Sequence, residues 1–437
     1  GTLLKTEPFN PDLYELQGDI FFEKKNEKAA LDAYLFAEKL LGISAYGLRE
    51  KIDKIAEKTS YNAFFSPVNT DAAARDRSWL EAYPGAESVI ALYNQQSTYY
   101  PEERRLESRR RVVIHILSDA GAKRWTEADL RQLGNISNAR VLKKDGSVTS
   151  PDLGWGMAVF KNLQAGDVII AEGQSDSNMP DEMMGEFLDI NLVSWQAPVV
   201  QAEFELLLPD SMALHAACNK VDCNYTTRDS ASLRLYRWSW QKVPKMEEEV
   251  GTPVNLDGVA WLMLGNAPDW GHVVQWYERT TYCRSEPNYE VLEKVRELIR
   301  PDMSEAAIVQ TLHHFITSEI SYSYVPFLNS NYVPKKPGET LSGKIGDCKD
   351  VATLMISLLR EHGIPAWYTL VSTHNFTNRE PRPTIYVFNH AIVAYQLSDG
   401  VLRFADLTTD YFPTGVLPGN DCDAWALVIR PGETQLR

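Results

Sequence analysis

The chain has 437 residues, 44% of them hydrophobic and 24% charged, a balance that excludes a disordered chain or a coiled coil. At about 150 residues per domain this length predicts about three domains. Lys+Arg 44 against Asp+Glu 59 leaves a net charge of −15; such a surface repels phosphate backbones, so no nucleic-acid partner is expected.

The one basic cluster, Arg104-Arg105 with Arg109-Arg110-Arg111, runs into an apolar strand and reads as a solvated strand entry. No stretch reaches the roughly 18 consecutive apolar residues of a membrane-spanning helix, so no membrane span is expected. The chain starts with Gly-Thr, which reads as a processed or engineered start, one from which a signal peptide or lipid anchor would leave no trace. Five cysteines do not make a disulfide scaffold, and Cys218 and Cys223 can pair only if their backbones fold back on each other. No CxxC pair is present, which disfavours a zinc site of the usual spacing. No metal and no cofactor is expected.

From 12 to 58 the chain is helical in character. Tyr14, Gly18, Phe21, Ala30, Tyr34 and Ala37 fall at helix-pair spacing, with small residues where two helices would touch. The segment resembles a single tetratricopeptide repeat followed by one more helix at about 44–58. A lone repeat cannot bury both its faces, so the first domain, 1–60, is expected to pack on a neighbour or to bind a protein partner.

Strand patterns take over from about 79 to 245. Runs at 112–117, 168–170, 199–208 and 233–240 are β-rich and bounded by turn residues, and Lys143-Lys144-Asp145-Gly146-Ser147 reads as a hairpin turn through Asp-Gly. An antiparallel β-sandwich is expected. Its aromatics, Tyr236, Trp238 and Trp240 on one face of a strand, are read as packing. An acidic stretch at 247–257 with Gly251 and Pro253 reads as a linker. Helices are then expected at 268–282 and 288–300, and at 304–320 behind a Ser304 cap. His313 and His314 sit on that last helix, where adjacent residues point apart; neither is read as a metal ligand.

The informative segment is Gly346-Asp347-Cys348-Lys349-Asp350. Val351, Leu354, Met355, Leu358 and Leu359 follow at helical spacing, and Gly363 and Pro365 end the helix. Asp347 is placed as N-cap and Asp350 lies in the first turn. Cys348 therefore occupies a helix start, where a thiolate faces the positive end of the macrodipole and unpaired N–H groups stand ready for an oxyanion. A thiolate needs a base and a group to orient that base. Downstream, 384–395 reads as a strand holding His390, and a turn through Ser398-Asp399-Gly400 leads to a second strand at 401–406. With the turn near 399, His390 and Asp406 share one face of the hairpin at a diagonal. A Cys348–His390–Asp406 triad follows.

These features resemble the transglutaminase-like, papain-related cysteine enzyme core, here over 258–431. The β-rich segment at 79–245 resembles the domain of unknown function DUF3857 that precedes such cores in bacterial proteins. The predicted fold class is thus α+β multidomain: a helical hairpin, an antiparallel β-sandwich and a papain-like/transglutaminase-like α+β core. Carried over residue by residue, Cys348 is the nucleophile, His390 the general base and acid, and Asp406 the orienter. One departure is visible: Leu407-Thr408 follows Asp406 where Pro then Thr is the family pattern.

The resemblance implies acyl transfer or hydrolysis at amide bonds of a protein or cell-wall peptide through a thioester. Cross-linkers, deamidases and peptidases share such cores, and fold does not choose among them. The second oxyanion donor is left open among Tyr322, Tyr324, Asn331 and Tyr332. Family members tend to carry a further domain after the core, so this chain is expected to be part of a longer protein. The acidic charge and the resemblance imply export from a bacterial cell, as a periplasmic or surface protein.

Three decoys fall away. Gly338–Lys344 spells the beginning of a phosphate loop, but Ile345 stands where Ser or Thr is required. Gly154-Trp155-Gly156 lacks the third glycine of a dinucleotide loop. His374 is a rival base for Cys348 but has no acid near it in sequence. The competing reading of the whole chain is a catalytically silent binding or scaffold protein that keeps the fold. Access to Cys348 separates the two, since burial under Tyr332 or the 376–382 loop favours the scaffold.

Overall fold

The computed structural model describes residues 7, 9–41, 48, 51–52, 55, 64–101, 103–154, 156–178, 187–230, 232–246, 258–323, 332–373 and 380–437. The fold is mixed α+β with several sheets. The chain divides into two compact units: Gly1–Pro180, Leu192–Ala213 and Val221–Met246 form one, and Asp181–Asn191, Leu214–Lys220 and Glu247–Arg437 the other. Among the described residues no helix is long and apolar enough to cross a membrane.

The first unit opens with helices Pro11–Glu23 and Glu27–Leu41 packed on each other. Gly18 makes room for the Tyr34 ring: a Cβ there would lie 2.2 Å from Cε1 of Tyr34. The Tyr34 hydroxyl donates to Asp19 Oδ1 at 2.7 Å. The further helix expected at 44–58 falls largely outside the described residues.

The same unit holds an eight-stranded sheet in the order Thr226–Ser230, Leu233–Val243, Val199–Pro209, Ser88–Tyr100, Arg105–Ile116, Val168–Asn178, Asn135–Leu142, Val148–Thr149. The Asp145-Gly146 turn joins the last two, with Gly146 at φ 87°. Where a purely antiparallel arrangement was expected, Ser88–Tyr100 and Val199–Pro209 run parallel, with Ile90 opposite Val199. Residue alternation reports which face a side chain takes, not the direction of the neighbouring strand; the long excursion from 100 to 199 leaves room for the crossover that a parallel pair requires. Trp238 and Trp240 are buried, and their indole N–H groups donate to the carbonyls of Cys223 and Asp222 at 3.1 and 2.6 Å, so these aromatics do pack.

The basic cluster departs from the expected solvated entry. Arg105 is 2% exposed and pairs with Glu103 at 2.8 Å, Glu107 at 3.2 Å and Asp176 at 3.5 Å. Arg111 donates to Asn94 and Gln96, both at 3.0 Å. Glu103 and Glu107 are near neighbours of Arg105 in the chain, whereas strand pairing brings Asp176, Asn94 and Gln96 from other strands.

In the second unit, helices α1 (Trp270–Thr280), α2 (Tyr289–Leu298), α3 (Glu305–Glu319), α4 (Pro337–Gly343) and α5 (Cys348–Glu361) accompany an antiparallel sheet. Its strands are β1 (Ala366–Ser372), β2 (His390–Gln396), β3 (Leu402–Ala405) and β4 (Trp425–Val428), in the order β3-β2-β1-β4. Each of α1, α2 and α3 starts on a side-chain cap, from Asp269, Asn288 and Ser304. The core gathers around α5, which is buried from Cys348 through Leu359 and packs on β1 and β2. It ends where the Ile364 N–H reaches back to the Leu359 carbonyl at 3.1 Å across Gly363, whose φ is +71°.

β2 begins later than expected, at His390, because Ile385–Val387 forms a 3₁₀ turn. Pro381 and Pro383 precede that turn, and the Thr384 hydroxyl accepts the Tyr386 N–H at 3.3 Å, both favouring a turn over a ladder. Elsewhere, Cys218 and Cys223 are disulfide-bonded.

Candidate active site

The start of α5 is fixed by charges within its own sequence. Asp347 Oδ1 accepts the Asp350 N–H, and Asp350 Oδ2 accepts the Asp347 N–H, each at 3.2 Å, a reciprocal capping box. The second oxygen of each acid is used as well. Lys349 Nζ donates to Asp347 Oδ2, and Asp350 Oδ1 accepts the Lys335 N–H at 2.8 Å. Asp347, Lys349 and Asp350 are all at most 4% exposed, so this knot is dry. Gly346 lets the chain enter it, since a Cβ there would stand 2.8 Å from Asp350 Cβ. Cys348 is the first helical residue. At that position geometry provides no intrahelical acceptor for its N–H, so that amide stands at the foot of the sulfur.

The imidazole arrives from β2. Val393 pairs with Ala405, and Gln396 with Leu402, so counting along the register sets Asp406 beside residue 392 and diagonal to His390 on the same face. His390 Nε2 lies 3.3 Å from Asp406 Oδ2, and the Cys348 side chain is near enough to raise the pKa of the same imidazole. With Nε2 turned to the acid, Nδ1 is the ring atom left for the sulfur. The structure thus brings the three residues singled out from the sequence into one cluster.

Asp406 is held from several directions. Its Oδ1 accepts the Thr408 N–H at 2.8 Å and its Oδ2 the Thr408 hydroxyl at 3.1 Å. Its carbonyl meets His313 Nε2 from α3 at 3.1 Å. Burial works against the Asp406 charge, but the bonds from His390 and Thr408 outweigh it and lower its pKa. Burial likewise pulls the His390 pKa down, yet Asp406 and Cys348 reverse this and carry it up to about 10. His313 is 5% exposed and its pKa falls, chiefly through burial; a neutral ring there donates Nε2–H to the Asp406 carbonyl.

Three features of the surroundings escape a reading of the sequence. His313 serves as a buried prop for the acid. Asp421, on the 3₁₀ turn Gly419–Asp421, has a carboxylate oxygen close enough to His390 and Asp406 that the polar atoms of all three lie within 4.8 Å of one another. Tyr277 of α1 is fully buried, and its hydroxyl lacks a hydrogen-bond partner among the described residues. Only Thr408 left a signal, because Asp-x-Thr is a pattern in which the acid accepts the N–H two residues on.

Of the oxyanion candidates, Tyr322 is 37% exposed and pairs with Gly346, just upstream of Cys348. Tyr332 is buried edge-on against Trp276 at 5.8 Å. Tyr324, Asn331 and the rival base His374 lie outside the described residues, as does most of the 376–382 loop. Cys348 itself is 4% exposed.

Residues 293–400 match the model of the Transglutaminase-like superfamily, a stretch that includes Cys348 and His390 and stops short of Asp406. A crystal structure from Parabacteroides distasonis, named as a "putative protease", aligns with a TM-score of 0.56 at 14% identity, covering 80% of this chain and 71% of its own. That likeness extends the shared fold to most of the chain. A "putative cysteine protease" from Cytophaga hutchinsonii, at 13% identity and covering 55% of this chain and 88% of its own, reaches a TM-score of only 0.24. No curated protein matches the chain.

Proposed function

We propose that this protein is a thiol-dependent enzyme that transfers or hydrolyses acyl groups at amide bonds of a protein or peptide, with Cys348 as nucleophile, His390 as base and acid, and Asp406 as orienter. The observation that carries the reading is one imidazole held by Asp406 at 3.3 Å and near enough to Cys348 for the sulfur to raise its pKa. His390 takes the Sγ proton on Nδ1, and the sulfur attacks the carbonyl carbon. The Cys348 amide at the head of α5 receives the oxyanion. A ring that holds its proton up to about pH 10 then delivers it to the departing amine. Water or a second amine, deprotonated by the same ring, resolves the thioester and frees the sulfur.

The test is labelling with an electrophile that mimics an amide carbonyl. The native chain is expected to be modified at Cys348, and Cys348→Ala not at all. The silent-scaffold reading has one observation in its favour, the low exposure of Cys348. A native chain that resists both this reagent and iodoacetamide while folded would make the scaffold the better account. Export is proposed with it, because Cys218 and Cys223 are each disulfide-bonded, and disulfides persist in oxidising compartments. Thiol counting on protein isolated from its native cells tests this, and finding those two cysteines reduced would overturn it.

A further inference from the structure

The side of His390 turned away from the sulfur carries more acid than an orienting role needs. Asp406 and Asp421, 6% and 9% exposed, come from separate segments, the end of β3 and the Gly419–Asp421 turn. With His390 they place one nitrogen and two carboxylate donors within 4.8 Å of one another. Two ligands about 2.05 Å from a tetrahedral ion stand about 3.3–3.4 Å apart, and His390 Nε2 is 3.3 Å from Asp406 Oδ2. An imidazole in the set selects a borderline ion over calcium or magnesium, which take oxygen ligands.

We propose that His390, Asp406 and Asp421 bind one divalent transition ion of the zinc class, and that the bound ion silences Cys348. The ion takes the Nε2 lone pair, and the one proton of the neutral ring, shared until then with Asp406, moves to Nδ1. No lone pair then faces the sulfur, the Cys348 thiol keeps its proton, and the base is lost. Cys348 stands at the other ring nitrogen and is not a ligand. The silencing half rests on the function proposed above; the binding half does not.

Calorimetric titration of the full chain with zinc chloride tests the binding half. One ion per chain is expected, retained in Cys348→Ala and weakened in Asp421→Asn by at least about tenfold, the lower bound for disturbing even an outer-shell group. Asp421→Glu keeps the carboxylate and is expected to recover binding. Cobalt on the native chain is expected to show d–d absorption without a thiolate charge-transfer band, a readout that needs no variant to fold. Undiminished zinc binding by Asp421→Asn, loss of binding in Cys348→Ala, or a thiolate band would each overturn the site. For the silencing half, zinc should slow iodoacetamide modification of Cys348 in the native chain and not in Asp421→Asn; an ion that binds without slowing it overturns the silencing. If Cys348 proves unreactive even without zinc while the ion still binds, the enzyme reading falls and the ion site stands.

Discussion

Arg105 in one unit and Asp406 in the other are almost equally buried, at 2% and 6% exposure, and are satisfied in opposite ways. Arg105 is a single cation met by carboxylates from Glu103, Glu107 and Asp176, two of them near neighbours in the chain and the third placed by strand register. Such an arrangement has little freedom left and nothing to exchange. Asp406 instead meets a group that can change its charge, the His390 imidazole, which also lies near the Cys348 sulfur. Burial strengthens both clusters by excluding water. Only the second can pass a proton along, which is the physical distinction between a strut and a site.

The largest effect that would sharpen this contrast is chemical. Cys348→Ala and His390→Ala should each lower the rate on an amide substrate by about 10⁴-fold or more, since members of such a unit fail together. Steady-state rates of each single variant and of the double variant check this; a double variant much slower than either single one would show that the residues do not act as one unit.

Struts should fail by unfolding. Asp347→Ala removes the cap of α5 and takes from the buried Lys349 the carboxylate it binds. Breaking a buried pair on one side costs about 3–5 kcal/mol, to be read as a shift in urea unfolding. Arg105→Ala should cost a similar amount in its own unit. Lys51→Ala breaks bridges to Asp19 and Glu15 whose partners are about one-third exposed or more and should cost under about 1 kcal/mol. Equal losses at all three sites would mean that burial does not set the worth of these pairs.

The site has a pH signature that Arg105 lacks. The His390 pKa is raised from 6.5 to about 10, so its pairing stabilises the fold fully below about pH 6.5 and is lost as pH climbs through 10. The Asp406 pKa is lowered from 3.8, so its share is present above about pH 4 and is lost as pH falls through its folded value. The destabilisation caused by His390→Ala should therefore be greatest at about pH 4–6.5 and shrink toward pH 10. Chemical denaturation across that range checks it; a penalty that is flat or grows with pH would refute the assignment.

Much of this arrangement is legible in the chain because it is local. The capping box, the helix behind Cys348, its stop at Gly363 and the parity that brings His390 and Asp406 to one face all follow from spacing within one or two elements. What stayed hidden depends on contacts between elements far apart in sequence. His313 is the prop of Asp406 only because α3 lies behind β3, Asp421 arrives from a turn beyond the sheet, and the parallel strand pair needs knowledge of a neighbour that alternation does not carry. Arg105 makes the same point from the other side, for a run of arginines reads as solvated until strand pairing sets Asp176 beside it.

The smallest expected effect concerns two tyrosines that stack edge-on at 5.6 Å. The Tyr368 hydroxyl bonds Thr353 Oγ1 of α5 at 2.9 Å, whereas the fully buried Tyr277 hydroxyl has no partner among the described residues. Burial raises the pKa of Tyr277 well above 10, so it is a neutral donor held out of water. Removing a satisfied hydroxyl should cost about 1 kcal/mol, and removing an unsatisfied one should recover some of a desolvation penalty of about 1–3 kcal/mol. Tyr368→Phe is therefore expected to lower the melting temperature and Tyr277→Phe to hold or raise it. If Tyr277→Phe destabilises as much as Tyr368→Phe, its hydroxyl has an acceptor in solution, and the interior beside α5 is wetter than its packing implies.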